Sequence, residues 1–525
     1  MLQTWRVATL VVMGLGLASA PSCTWIYDTD EIGGDDRGAD DGDDGPDDGN
    51  PDSGSTPDAD PDALDFQLIP AELFEGEGSA FDPEDTERVR RVPIVLRGQN
   101  LSDDMIVTLD GAGFEAVVVE EVAVSPDGRW AAFSLRVPVL PDLAQGMNDS
   151  IQVRVESFED LTRTLTVRGL DAFERSGEMI DTSVTAIAAR YSHVVLDGDI
   201  VARGASPLRL VATAGIAVGG TLRADGAGRE PGAGGCAGGL KAQTPSCGQA
   251  AGQAGGTISG GGGGGFGTAG ADGAPVNGAG GSGGGAAANS TLVPLPPASG
   301  SVSRGAGGGG GGTLLDLTGG FPGGGGGGVV ELTTPAILRL GDGALVSASG
   351  AAGTPTGALG CALAGGSGGG GSGGAILLRG GTSFEAGAGA QVSAAGGPQI
   401  GPANCFGGAG GSGRIRIDSA DPVDIVDQPA AALGPMIAGD APVVTRSATI
   451  ALSVRGASGA TYELYLGEAS RPAGSIATGD DGLGSADMNL EPGSNLICVS
   501  ESSPADLAHP EARNCALVAY VPSDG

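Results

Sequence analysis

Val330-Glu331-Leu332, Leu338 and Val346-Ser347-Ala348-Ser349-Gly350 are followed, each 46 positions on, by Ile376-Leu377-Leu378, Phe384 and Val392-Ser393-Ala394-Ala395-Gly396. A fixed shift across so many apolar positions marks a repeated unit of the kind that stacks on its own copies. A third copy, Leu208-Arg209-Leu210, Ile216 and Leu222-Arg223-Ala224-Asp225-Gly226, is two residues shorter inside. Partial copies begin at Leu315-Asp316-Leu317 and Ile415-Arg416-Ile417. Within a copy, about 22 residues hold three short apolar strand signals separated by glycine or proline turns. The spacing predicts one coil of a parallel β-helix, with alternate apolar residues inward and small Ala348 and Ala394 at a corner.

Glycine dominates what lies between the copies. The chain has 102 glycines in 525 residues, and 72 of them fall between residues 201 and 420. Collagen is excluded, because the poly-glycine runs keep no Gly-X-Y period. Glycine has no side chain to bury and loses the most entropy on ordering. The expectation is that these stretches are loops leaving the stack, outside its core, and that their bare backbone is an interaction surface. The pattern resembles the glycine-rich β-helical repeats of exported, adhesin-like bacterial proteins. That resemblance implies a β-helix over residues 171–420 and says little about activity.

The flanks are a different material. Residues 66–170 alternate apolar and polar positions in segments such as Met105–Leu109, Trp130–Val139 and Ile151–Val155, with Ser125-Pro126-Asp127-Gly128 as a turn between two of them. Short strands at this spacing read as a β-sandwich. Arg97-Gly98-Gln99-Asn100-Leu101, then a strand and Asp110-Gly111, resembles the Ig-like modules of bacterial surface proteins of the IPT/TIG type. Residues 421–440 read as a Pro/Ala-rich linker. Residues 441–525 return to alternation, at Ile450–Val454 and Tyr462–Leu466, and look like a second Ig-like module. The fold class expected for the folded body is therefore all-β.

The N-terminus reads as an export signal over residues 1–22, with Arg6 and then an apolar run from Val7 to Leu17 too short to span a bilayer. Ala20-Pro21-Ser22-Cys23 resembles a bacterial lipobox, which makes Cys23 the expected lipidated N-terminus; a cleaved, secreted protein is the alternative. Between residues 28 and 65 there are 15 aspartates, one glutamate and one arginine. Residues 23–65 thus form a self-repelling tether with too little apolar surface to fold. No register of these aspartates gives the EF-hand order.

Seven cysteines leave one thiol over in an exported protein. Cys23 takes the lipid, and the other six form local couples. Cys361 and Cys405 occupy corresponding places in consecutive repeats. Cys498 and Cys515 lie symmetrically about one polar loop. Cys236 has a similar place in the earlier copy, whose neighbour copy is distant in sequence, so it is paired with Cys247.

The search for chemistry returns little. His193 and His509 have no partner at ligand spacing, and Gly-x-Gly-x-x-Gly matches are automatic in poly-glycine. No catalytic, metal or cofactor residue is assigned. A formal charge of −36 excludes a basic nucleic-acid footprint. Acidic residues of the coils, Asp316, Glu331, Asp342, Glu385 and Asp418, form no Asp-x-Asp set, and Glu331 reads as a solvated outer residue. The function expected is a non-enzymatic lipoprotein of the cell envelope, held to the membrane by its lipid and exposed at the outer membrane. Its partner would be an envelope polysaccharide or another surface protein. The alternative is a carbohydrate-active β-helix whose carboxylates converge from distant coils.

Overall fold

The computed structural model describes residues 65–74, 76, 91–103, 105–110, 119–135, 137, 148–156, 161–185, 190–246, 250–276, 278–286, 305–313, 319–357, 360–439, 443–467, 472–501 and 514–523. The export signal, Cys23, nearly all of the acidic tether, Cys247, the Leu315 copy with Asp316, and His509 lie outside them. The described chain is all-β, with a single four-residue helix at Cys361–Ala364.

Its centre is a stack of parallel strands on three faces. One face holds the first half of Leu208–Val218, then Val329–Thr334, Ala375–Gly380, Arg414–Ser419 and Ala432–Gly434. The second holds Phe173–Ser176, Tyr191–Asp197, the second half of Leu208–Val218, Ile337–Leu340 and Ser383–Ala386. The third runs from Met179–Asp181 through Asp199–Arg203, Thr221–Arg223, Leu345–Ser347 and Gln391–Ser393 to Val426–Gln428. The repeats sit in register: Val330 opposes Ile376, Leu338 opposes Phe384 and Val346 opposes Val392. The copy at Leu208 is the spatial neighbour of the copy at Val330, since Leu208 opposes Val330 and Ile216 opposes Leu338. Sequence distance between those copies does not separate them in space.

Alternation explains the core. Leu208, Leu210, Val330, Leu332, Ile376, Leu378, Ile415 and Ile417 all point inward and are buried together with Leu338, Val346 and Val392. Each such side chain stabilises by roughly 1.5–3 kcal/mol relative to leaving it in water. The stretch read as a linker is not one. It carries the last strands of the stack, Val426–Gln428 and Ala432–Gly434, and then Met436–Ala438, which pairs with Thr449–Arg455. Val423, Ile425 and Ala431 lie against the end of the stack core, which would otherwise stand open.

Two-sheet modules flank the stack. In the first, the sheet of Asp65–Ile69, Val92–Gln99, Trp130–Leu135 and Val119–Val124 faces that of Glu72–Phe74, Leu161–Arg168, Asn148–Glu156 and Ile106–Asp110. Leu73, Ile94, Phe133, Ile151 and Leu165 fill the space between. Its tight turn forms where the sequence places it: Gly128 takes φ +65° and Ser125 Oγ donates to Asp127 Oδ1 at 2.6 Å. The C-terminal module sets a three-stranded sheet against a five-stranded one over Leu452, Val454, Leu464 and Val499. The two modules touch each other. Val95, Ala123 and Ala132 of the first are buried with Ala519 and Val521 of the last, and Tyr465, Leu496 and Leu517 join the first module's core. The chain therefore closes on itself beside the stack.

Candidate functional site

The glycine-rich stretches do leave the stack, but they are not loops outside a core. Their backbones bond to one another with a period of three over much of their length. In residues 259–267, the amides of Gly260 and Gly263 donate to Ala274 and Ala271, those of Gly261 and Gly264 to Ser367 and Gly370, and those of Gly262 and Gly265 to Gln253 and Ala250. Each third residue faces the same neighbour, which is the screw of a polyproline-II-type chain with three residues per turn and no internal hydrogen bonds. Six such chains surround 259–267: 268–275, 278–286, 250–256, 305–312, 366–374 and 405–413. Adjacent chains in that ring are also bonded, for example Gly252 to Gly307, Gly369 to Gly309, Gly370 to Gly408, Ala271 to Ala409, Gly270 to Gly284 and Gln253 to Ser282. The packing is hexagonal. A second complete cell is centred on 366–374, which bonds to 259–267, 305–312, 321–328, 348–354, 394–400 and 405–413.

Only glycine fits at these centres. A Cβ on Gly261 would fall on the carbonyl oxygen of Gly309, one on Gly262 on that of Ser282, and one on Gly263 on that of Ala409. Residues 260–266 and 367–374 are buried throughout. The expectation of an exposed backbone surface is therefore overturned here: the polar groups of these chains pair with each other. Dense mutual hydrogen bonding, which glycine alone permits, offsets the entropy lost on ordering and pairs the buried backbone groups.

A second buried device joins the stack to the C-terminal module. Arg379 and Asp418, neighbours on adjacent strands, are both fully buried and meet at 2.9 Å. Arg416 Nε donates to Asp418 Oδ1 at 2.7 Å, and its guanidinium also reaches Glu501 at 3.3 Å. Asn514 Nδ2 donates to Asp418 Oδ2 at 3.2 Å and to the Pro435 carbonyl. Burial alone would raise the Asp418 carboxyl, but the charges of Arg416 and Arg379 hold it below its ordinary value. Burial pushes Arg379 downward, against the pull of Asp418. These residues were missed as a group in the sequence; the one signal is charge at the outward positions of strands that pair at successive repeats.

Other carboxylates of the stack have local partners. Glu331 faces outward as read, yet its side chain is only 15 % exposed and lies 3.0 Å from Arg209 Nε, without the alignment of a hydrogen bond. Glu385 pairs with Arg339 at 2.7 Å, and Asp342 accepts from the Ala388 amide at 2.8 Å. Asp225 accepts from Ser347 Oγ and the Ser349 amide. His193 lies on Tyr191–Asp197, with Nε2 3.1 Å from Glu174 and Nδ1 3.3 Å from Ser192 Oγ. Among the described residues, no group of three or more His, Cys, Asp or Glu is placed to share a metal ion. One cleft of about 250 Å³ opens between the end of the stack and the C-terminal module. Ser419, Asp421, Leu433, Arg455, Asp480 and Asp481 are among its lining residues. Arg455 crosses it, donating to the carbonyls of Ala420 and Asp481.

Cys361 and Cys405 form a disulfide with Cα atoms 6.0 Å apart, tying together two arms of the glycine lattice. Cys498 and Cys515 form another between directly opposed residues of an antiparallel pair. Cys236 is also disulfide-bonded. Such bonds persist in oxidising compartments, which places the folded body outside the cytoplasm. No described helix is long and apolar enough to cross a membrane. No protein-family model, curated protein or solved structure matches the chain.

Proposed function

We propose that the chain is a non-enzymatic lipoprotein of the cell envelope. In this reading Cys23 carries lipid, the acidic segment holds the body clear of the membrane, the stack is a parallel β-helix and the two-sheet modules are Ig-like. Its role is structural or adhesive, toward an envelope polysaccharide or another surface protein. The observation that carries the reading is the engagement of the stack's charged residues. Asp418, Glu331, Glu385 and Asp342 each meet an arginine or a backbone amide of the stack itself. A glycoside-cleaving site needs two carboxyls about 5–10 Å apart across one substrate groove, so the enzymatic alternative would have to use the cleft lined by Asp421, Asp480 and Asp481. The odd cysteine number supports lipid at Cys23, because Cys236, Cys361, Cys405, Cys498 and Cys515 are disulfide-bonded.

The test compares the wild-type chain with Cys23→Ser in fractionated, surface-proteolysed cells. Membrane association, acylated mass and protease access are expected for the wild type and are lost together in the variant. Unchanged mass and membrane association in Cys23→Ser contradicts the lipid anchor. Release of new reducing or unsaturated sugar ends from acidic polysaccharides by the purified chain contradicts the non-enzymatic reading.

A further inference from the structure

Among the described residues, several of the chains around the two cell centres have incomplete shells, and 268–275 and 278–286 lie together on one such edge. Among those same residues, 268–275 bond only to 259–267, 278–286 and 405–413, and 278–286 only to 259–267, 268–275 and 250–256. The interior chain 259–267 has all six neighbours. On 278–286, the amides of Ala279, Ser282 and Gly285 have no partner among the described residues. All three residues are exposed. They stand three residues apart, so successive donors form one row and lie about 9 Å from one another along the chain. On 268–275 the free amides are those of Ala269 and Asp272, and that row ends at Pro275, which has no N–H to give. Of these two chains, 278–286 offers the uninterrupted row. Its side chains do not shield it. Ala279, Ser282 and Gly285 are small, and Gly285 has open space where a Cβ would stand. The carboxylate of Asp272 accepts from the Gly283 amide at 2.7 Å.

We propose that the edge at 278–286 is a docking face for a glycine-rich segment of another polypeptide, bound as one more three-residue-per-turn chain of the lattice. The partner's chemistry follows from the two complete cells in the same molecule. There, equivalent positions are filled by extended chains made mostly of glycine and small residues, whose carbonyls accept from such amide rows and whose inward glycines leave no room for a Cβ. The position beside Ala279, Ser282 and Gly285 is the next site of that lattice. It is the counterpart of an unpaired sheet edge, which recruits a further strand through its free backbone groups. A chain of about nine residues, rising 3.1 Å at each, spans the row. The partner needs no charge, so the −36 of the chain does not oppose it. The inference rests on the lattice alone and is independent of lipid at Cys23.

The test uses the full chain, oxidised and ¹⁵N-labelled, with the capped peptide Gly-Ser-Gly-Gly-Gly-Gly-Ser-Gly-Gly, which copies residues 366–374. The control peptide has alanine at every glycine. The expected result is saturable shifts of the amides of Ala279, Ser282 and Gly285 with the first peptide, and none with the second. Ala279→Arg and Ser282→Arg, both at exposed positions, are each expected to abolish saturation while leaving the amide spectrum of 259–267 in place. Three results overturn the proposal: no saturable shift up to the solubility of the peptide, an equal response to the alanine peptide, or binding unchanged in both arginine variants.

Discussion

Leu208 and Val330 are directly opposed in adjacent parallel strands, although most of the glycine-rich sequence runs between them. The excursion leaves the stack after Thr221–Arg223 and returns at Val329–Thr334 one step along the same faces. Stack and lattice are thus built on one register. The later excursions, between Leu345–Ser347 and Ala375–Gly380 and between Gln391–Ser393 and Arg414–Ser419, enter the same lattice from successive steps.

Leu338 lies between Ile216 and Phe384 and is fully buried. Leu338→Ala should lower stability by about 2–5 kcal/mol, through lost transfer energy and a residual cavity. Chemical denaturation followed by circular dichroism measures it. A loss under about 1 kcal/mol would mean that the stack core is loosely packed there.

Glycine is required at lattice centres and dispensable at Gly285 on the open edge. Gly263→Ala puts a methyl against the Ala409 carbonyl, and overpacking of this kind costs about 1–3 kcal/mol or more. Gly285→Ala meets nothing within 4 Å and should change stability little. Melting temperatures and proteolysis of the two variants, compared side by side, read the contrast.

Asp418→Asn leaves Arg379 and Arg416 buried without their shared anion. Breaking a buried pair in this way costs about 3–5 kcal/mol at neutral pH. The sign with pH is fixed by the direction of the shift. Asp418 titrates below its ordinary 3.8 in the folded chain, so its contribution is present above that value and is lost as pH falls through the folded one. Wild-type stability should fall in that acid window more steeply than that of Asp418→Asn. Parallel acid limbs in the two proteins contradict the assignment.

Cys361 and Cys405 close a loop of 44 residues in sequence separation. The chain-entropy model gives such a closure about 4 kcal/mol. The double variant Cys361→Ser, Cys405→Ser should lose a large part of that, and protease should cut first within 351–413. Unchanged cleavage would show that the lattice holds without the bond.

Much of the stack was legible because its code is local. Val330, Leu338 and Val346 recur at one shift, and alternation around them assigns the inward face without further knowledge. The lattice was illegible for the opposite reason. A residue such as Gly263 carries no side-chain pattern, and its partners at Ala271, Gly284 and Ala409 are set by backbone geometry across several excursions. The strands at Val426–Gln428 and Ala432–Gly434 were hidden in a Pro/Ala-rich composition, because edge strands need few apolar residues. Asp418 looked like one more scattered carboxylate, since Asn514 and Glu501 approach it from a separate module.

The central claim is that the glycine-rich chains form an ordered, hydrogen-bonded second core. Amide hydrogen exchange of the oxidised chain tests it most directly. The amides of Gly261 to Gly265 and of Gly368 to Gly371 are predicted to exchange as slowly as those of Val330 and Leu332 in the stack, while Ala269, Ala279 and Gly285 exchange freely. Free exchange throughout residues 259–267 and 366–374, with the stack still protected, would contradict the account.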